Sequence, residues 1–332
     1  MKKLLILLIV LPLAGCVSRI ELSTMAICLG IDGDGSGIAL TVKFPDYSDG
    51  PDGYKVLSAQ GEDWDAAVSA LYAAAPASLH FGQLREVVIG QGAFDHYAPG
   101  DLLAWADQLP GMRSHALTAV CPGTAQAHIE DMQPAIGKRL SKYLDIALSH
   151  IEAEGRIPAT ALSCAVRDLS GPWRAPLLAW TAGGAYALGT RQRGLLSPEE
   201  VQLFRLITGE SQQYRLQSGS RAYGCSLRGH AQLAVETENE QDTLLMRLPV
   251  ILTYSVYDNP PPSGAEDALR QAVTGLLRHL QALGCDALGF GCAAVRRYDT
   301  LAAWLQSGWP ERFCLAGLQV TVDARYRQEA ER

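Results

Sequence analysis

Short runs rich in Val, Ile, Leu and Tyr alternate with stretches of helical period along almost the whole chain, and no segment repeats another. Such a chain must bury both sheet faces and helix stripes, so it folds in layers rather than as a bundle or a solenoid. The class read from this pattern is α+β: two or three lobes of mixed sheet flanked by helices. A break is expected near 125–135 within an N-terminal region 16–205, and a C-terminal domain is expected over 215–328.

The strand signals begin with a hairpin over 25–44. Met25–Ile31 and Ile38–Phe44 flank Asp32-Gly-Asp-Gly-Ser-Gly37, which is dense in turn formers. With Asp32, Asp34 and Ser36 at alternate positions, that loop looks superficially like a calcium loop. Its twelfth position is Lys43 instead of a bidentate Glu, so the turn reading is preferred and no metal is assigned. Further strands are expected at 56–60, 84–90, 115–121, 231–236, 244–257 and 315–324, with two short ones around Gly183-Gly184. Helices are expected where apolar residues recur at three and four: from Trp64 toward Pro76, over 102–109, from Ile136 to Ile151, over 162–169, and from Leu269 to Leu280. Ser197-Pro-Glu-Glu200 opens another, ending at Gly209, and Ser263-Gly-Ala-Glu266 reads as a capping box. Gly284 supplies the stop after Leu280, and the tail Arg325–Arg332 is expected to fray.

The N-terminus sets the address. Met1-Lys2-Lys3 is a positive start, and the apolar run from Leu4 to Leu13 precedes Leu13-Ala14-Gly15-Cys16. A charged start, a short apolar core and small residues before a cut site make a secretory signal peptide, residues 1–15. The apolar run, about ten residues, falls well short of the roughly 20 needed to span a hydrocarbon core. Cys16 directly after Leu-Ala-Gly is the lipobox arrangement, in which the thiol is diacylated and the peptide is cut just before it. The mature chain, roughly 317 residues and long enough for two or three domains, then starts at a lipidated Cys16. It is expected on the outer face of the cytoplasmic membrane, held by two acyl chains.

Composition excludes some functions. A net charge of −7 without a Lys/Arg block argues against nucleic-acid binding, which needs clustered cations. Beyond Cys16 there are seven cysteines, at 28, 121, 164, 225, 285, 292 and 314. An odd number without a CxxC pair fits free thiols filling apolar volumes better than disulfides or a zinc site. There is no GxSxG, GxxxxGK[ST], HExxH or GxGxxG, and no two histidines lie at helical ligand spacing. No catalytic residue and no cofactor is assigned, and binding or assembly is favoured over turnover.

Four segments together resemble the GerC-type spore germination lipoproteins, the C subunits of nutrient germinant receptors. The first is Gly15-Cys16-Val17-Ser18-Arg19-Ile20-Glu21-Leu22 followed by Gly30-Ile31-Asp32. The second is Ser58-Ala59-Gln60-Gly61, the Trp64 helix, then Phe81-Gly82-Gln83-Leu84-Arg85 before an apolar strand. The third is Gly184-Ala185-Tyr186-Ala187-Leu188 with Leu196–Glu200. The fourth is Asp286-Ala-Leu-Gly-Phe-Gly291 after a long helix, followed by Trp304 and Trp309. Val17-Ser18 stands where the family has Trp-Asp, and Gln83 where it has His.

The resemblance implies a lipid-anchored, non-enzymatic subunit in the inner membrane of the spore, folded as three mixed α/β domains. Its partners would be the integral-membrane A and B subunits of the receptor. Cys16 is the lipid attachment site. Arg19, Glu21 and Leu22 follow the anchor and are candidates for touching partner loops. Phe81, Gly82, Arg85, Asp286, Gly289, Phe290 and Gly291 carry the likeness as partner-contact or structural positions. The main rival is a substrate-binding lipoprotein of a membrane transporter, which would need two similar lobes around a cleft. An extracytoplasmic hydrolase would need a nucleophile and base assembled by folding.

Overall fold

The computed structural model describes residues 23–46, 53–134, 139–154, 158, 160–171, 173–211, 214–218, 221–239, 241–254 and 264–328. In chain order the elements begin with β1 (Ser23–Met25), β2 (Cys28–Gly33), β3 (Ile38–Pro45), β4 (Tyr54–Gly61) and α1 (Trp64–Ala74). Next come β5 (Ser78–His80), β6 (Glu86–Gly90), α2 (Gln91–His96), α3 (Pro99–Asp107), β7 (Leu117–Cys121), α4 (Ala125–Asp131), α5 (Leu140–Glu154) and α6 (Leu162–Ser170). The middle holds β8 (Leu177–Trp180), β9 (Ala185–Leu188), β10 (Arg193–Leu196) and α7 (Pro198–Thr208). The last third holds β11 (Tyr214–Ser218), β12 (Arg221–Leu227), β13 (Gln232–Glu238), β14 (Gln241–Tyr254), α8 (Ala265–Leu283), α9 (Phe290–Ala294), α10 (Leu301–Gln306), α11 (Trp309–Leu315) and β15 (Gly317–Gln328).

The fold is α+β and multi-lobed, built on two main sheets. The first has eight strands in the order β10-β9-β8-β7-β6-β2-β3-β4, drawn from both sides of residues 125–135. Its centre, β2, β6, β7 and β8, is parallel, and antiparallel hairpins close both ends. Parallel strands need cover on both faces, and β6 is accordingly buried at every position. Leu29, Ile31, Val87, Ile89 and Val120 pack under residues of α1, α2, α3 and α6. Cys28 on the opposite face packs with Ile129 of α4 and Leu140 and Leu144 of α5. The short pair β1 and β5 stands apart as a two-stranded parallel sheet.

The second sheet has β11, β12, β14 and β13 antiparallel, with β15 added parallel to β14. Leu244, Met246, Leu248, Val250 and Leu252 alternate inward on β14 and meet Leu269, Val273, Leu276, Leu277 and Leu280 of α8 in one core. Pro249 sits in β14 where β13 pairing ends at Arg247 and β12 pairing begins at Val250, so its missing N–H breaks no ladder bond on that side. Leu177, Ala185, Ala187 and Leu196 of the first sheet belong to the same core.

Three expectations need correction. The strand after α11 does not fray at Arg325: it runs to Gln328, because β14 continues as its partner as far as Tyr254. At the start of α8 the N-cap is Gly264, with φ 104° and no side-chain cap, while Ser263 lies outside the described residues. Several short elements carried no periodic signal that marked them, among them α2, α4, β5, β10, β11, β12 and the helices α9, α10 and α11; these helices are a turn or two long, too short for an apolar stripe to recur. The capping box at Ser197 and Glu200 forms with both its hydrogen bonds, and Gly209 and Gly284 close α7 and α8 at positive φ.

Candidate functional site

Cys16, Arg19, Glu21 and Leu22 lie outside the described residues. The other candidate positions fall in two places. Phe81 is fully buried in the core of the first sheet, whereas Phe290 is fully buried in that of the second. Phe81–Arg85 is the turn that delivers β6: Leu84 N–H donates to the Phe81 carbonyl, Arg85 N–H to that of Ile27, and the Arg85 carbonyl accepts from Leu117. Gly82 is exposed, and a Cβ there would meet nothing nearer than 3.7 Å. Sterics therefore do not demand glycine at that position.

Asp286 organises the second place. Gly289 adopts φ 83°, a left-handed conformation suited to glycine, and starts α9. That turn aims successive N–H groups at one carboxylate. Asp286 Oδ1 accepts from Gly289 N–H at 3.0 Å and Phe290 N–H at 2.9 Å. Oδ2 accepts from Gly291 N–H at 2.6 Å and the Trp309 indole Nε1–H at 3.0 Å. Burial pushes the Asp286 carboxyl above its ordinary range, and the four N–H donors pull it back. All four partners are donors, so only the ionised carboxylate satisfies each of them. With its oxygens so engaged, Asp286 holds structure and has no lone pair placed to serve as a base. A Cβ on Gly291 would lie 2.8 Å from Trp309 Nε1 and 2.9 Å from the Trp173 carbonyl, so glycine is needed there too.

This turn is also a seam between the two sheets. Ala175 N–H donates to the Asp286 carbonyl and Arg174 Nε to that of Ala287, both from the loop that leads into β8. Trp173 of that loop stacks on Trp304 at 5.9 Å and 17°, and Trp304 in turn packs on Trp309 at 5.6 Å. The β9–β10 loop joins in: the N–H groups of Arg191 and Gln192 reach the Leu283 carbonyl, and that of Thr190 reaches Gly284. Sequence reading found Asp286, Gly289 and both later tryptophans but not Trp173, which lies over a hundred residues away.

Gly30-Ile31-Asp32 gains a physical explanation. Asp32 accepts from the N–H groups of Ala125 and Gln126, at 2.7 and 2.9 Å, at the start of α4. Lys43 of the neighbouring strand is buried and donates to the carbonyls of Ile129, Glu130 and Met132 at the other end of α4. The β2–β3 hairpin thus grips a helix with an anion at its positive end and a cation at its negative end. The first and twelfth residues of the calcium-like loop are the two jaws. Gly30 and Gly90 let α4 sit close: a Cβ on Gly30 would meet Ile129 at 2.8 Å, and one on Gly90 would meet Asp32 Oδ1 at 2.0 Å.

Cys28, Cys121, Cys225 and Cys285 are buried, and burial raises the last three thiols to about 12, so they are not nucleophiles near neutral pH. No group of three or more metal-ligating side chains occurs among the described residues, and no helix among them is long and apolar enough to cross a membrane.

Residues 18–180 match the family described as "Spore germination protein N-terminal domain". Over that span the chain belongs to the GerC-type spore germination family. Its backbone is similar to the crystal structure of the GerBC protein, with a TM-score of 0.55 at 13% identity, covering 90% of this chain and 96% of that one. At that identity the likeness speaks for the fold alone, and it extends through the second sheet, beyond the matched family region. No curated protein sequence matches the chain. In GerC-type terms, the hairpin that grips α4 and the Phe81–Arg85 turn fall in the matched region, while the Asp286 seam falls after it.

Proposed function

We propose that this chain is the lipid-anchored C subunit of a spore germinant receptor, and that it acts by assembly and signal transfer without turnover. The observation that carries the reading is the coincidence of a spore germination N-terminal domain over 18–180 with a lipobox ending at Cys16. Among the described residues, the two acids in the family-like segments are engaged in holding the fold: Asp286 in a closed set of four hydrogen bonds, and Asp32 on the start of α4. Neither carboxylate is left aimed into a cleft as a catalytic group would be. The lipid confines the protein to a plane beside its integral-membrane A and B partners, raising their effective concentration so that modest contacts suffice.

The test is nutrient-triggered germination, followed by loss of refractility, in spores lacking the gene and complemented with wild type or Cys16→Ala. Loss of a nutrient response that only the wild type restores is the expected outcome. Equal rescue by Cys16→Ala removes the anchor from the mechanism. Full responses without the gene, together with stoichiometric binding of a small solute by the isolated protein, transfer the chain to the transporter-lipoprotein class.

A further inference from the structure

Among the described residues, helices cover the second sheet on one face only. The helices α8, α9 and α11 pack on the face carrying Leu244, Met246 and Leu252, and among the described residues no helix crosses the other. The pairing registers say which side chains share that open face. Arg215 pairs with Gly224, Gly224 with Thr253, and Thr253 with Arg327, which places Arg215 and Arg327 in one row across four strands. Two residues back along β15, Arg325 pairs with Ile251, and Asp323 with Pro249; Arg247 pairs with Thr321. Alternation puts all of these on the face opposite Tyr223 and Leu252, which are buried in the core. Arg228, at the end of β12, reaches the same spot, with its guanidinium 3.7 Å from Asp323.

Among the described residues, five arginines therefore share one end of the open face with a single acid, Asp323, which Arg247 holds at 2.8 Å. Arg215, Arg247, Arg325 and Arg327 are exposed. This excess of positive charge stands on a chain whose net charge is −7. The acids of that face, Glu236 and Glu238, lie toward the other end, on β13. Pro249 and Ile251, half-buried, form an apolar strip between the arginines. From strand spacing and rise, the patch measures roughly 14 by 20 Å.

We infer that this face lies against the anionic headgroups of the membrane to which the chain is tethered, with Arg215, Arg228, Arg247, Arg325 and Arg327 meeting phosphates and Pro249 and Ile251 touching the interface. The inference deepens the tethered reading above and rests on it. Each arginine near an anionic surface strengthens binding about fivefold, so removing two weakens it about 30-fold.

The test uses the full chain, reconstituted through its own N-terminal segment into phosphatidylcholine vesicles and into vesicles containing phosphatidylglycerol. Hydrogen exchange is followed in β12 and β15. Slower exchange only with phosphatidylglycerol, reversed by high salt and by Arg325→Glu/Arg327→Glu, is the expected result. Thermal unfolding of the double variant, unchanged from wild type, shows that the loss is not misfolding. Equal exchange in both vesicles overturns the inference while leaving the tether intact, provided the chain still floats with the lipid. Failure to associate with either vesicle overturns the tether itself. Protection that appears only on adding an acidic protein fragment overturns the lipid assignment and gives the face to a protein partner.

Discussion

Replacing Asp286 by Asn removes one charge and almost no volume, and it tests the seam where the two sheets meet. In the native turn two N–H donors fall on Oδ1 and two on Oδ2. An amide keeps one acceptor oxygen and presents an NH2 group to the other pair of donors. Either Gly289 and Phe290, or Gly291 and Trp309, then face a donor instead of an acceptor. Hydrogen bonds to a charged acceptor are worth about 1.5–3 kcal/mol each, so two lost bonds cost about 3–6 kcal/mol. Relief from burying a charge offsets part of this. The expected net loss is about 3 kcal/mol for Asp286→Asn, and about 5 kcal/mol for Asp286→Ala, which strands all four donors. Urea unfolding at neutral pH, followed by tryptophan fluorescence with an unchanged slope, measures both. Trp309 reports directly from the site. An Asn variant within about 0.5 kcal/mol of wild type would falsify the argument, because the carboxyl would then be protonated or its four contacts immaterial.

Two further perturbations probe the first sheet. Burial raises the Glu86 carboxyl from 4.5 to about 7, so the folded state holds its proton more tightly than the unfolded chain does. Stability from this group is therefore greatest below pH 4.5 and falls as pH rises through 7, by about 3 kcal/mol in all. Glu86→Gln should match wild type in acid and exceed it by that order at pH 8; parallel pH–stability curves for the two proteins refute the assignment. Gly90→Ala drives a methyl to within 2.0 Å of Asp32 Oδ1, displacing the carboxylate from α4. The expected loss is about 2–4 kcal/mol, with faster hydrogen exchange confined to α4, and unchanged exchange there counts against the two-jaw grip.

Much of the molecule was legible in residue order alone, wherever the physics is local. Apolar runs bounded by turn formers marked the hairpin at 25–44 and most of the sheet strands, and Ser197-Pro-Glu-Glu200 marked a helix start that forms both its capping bonds. Gly284 marked a stop because a left-handed residue must follow Leu283. The expected leader and the Leu-Ala-Gly-Cys16 sequence likewise rest on consecutive residues. Other features depend on partners far apart in the chain. Nothing near Asp32 indicates that it caps a helix 93 residues later, nor near Lys43 that it closes the other end of that helix. Trp173 gains meaning only when the loop before β8 meets α10, and Arg215 joins Arg327 only through a register across four strands. Even Arg325–Gln328, polar enough to read as a frayed tail, became strand because β14 is long enough to pair with it. Local pattern determined many of the elements and their caps, and the proposed N-terminal address rests on it alone. Tertiary structure decided which charges are buried and paired and which are left facing out, because burial and pairing belong to the packed chain and not to any one segment of it.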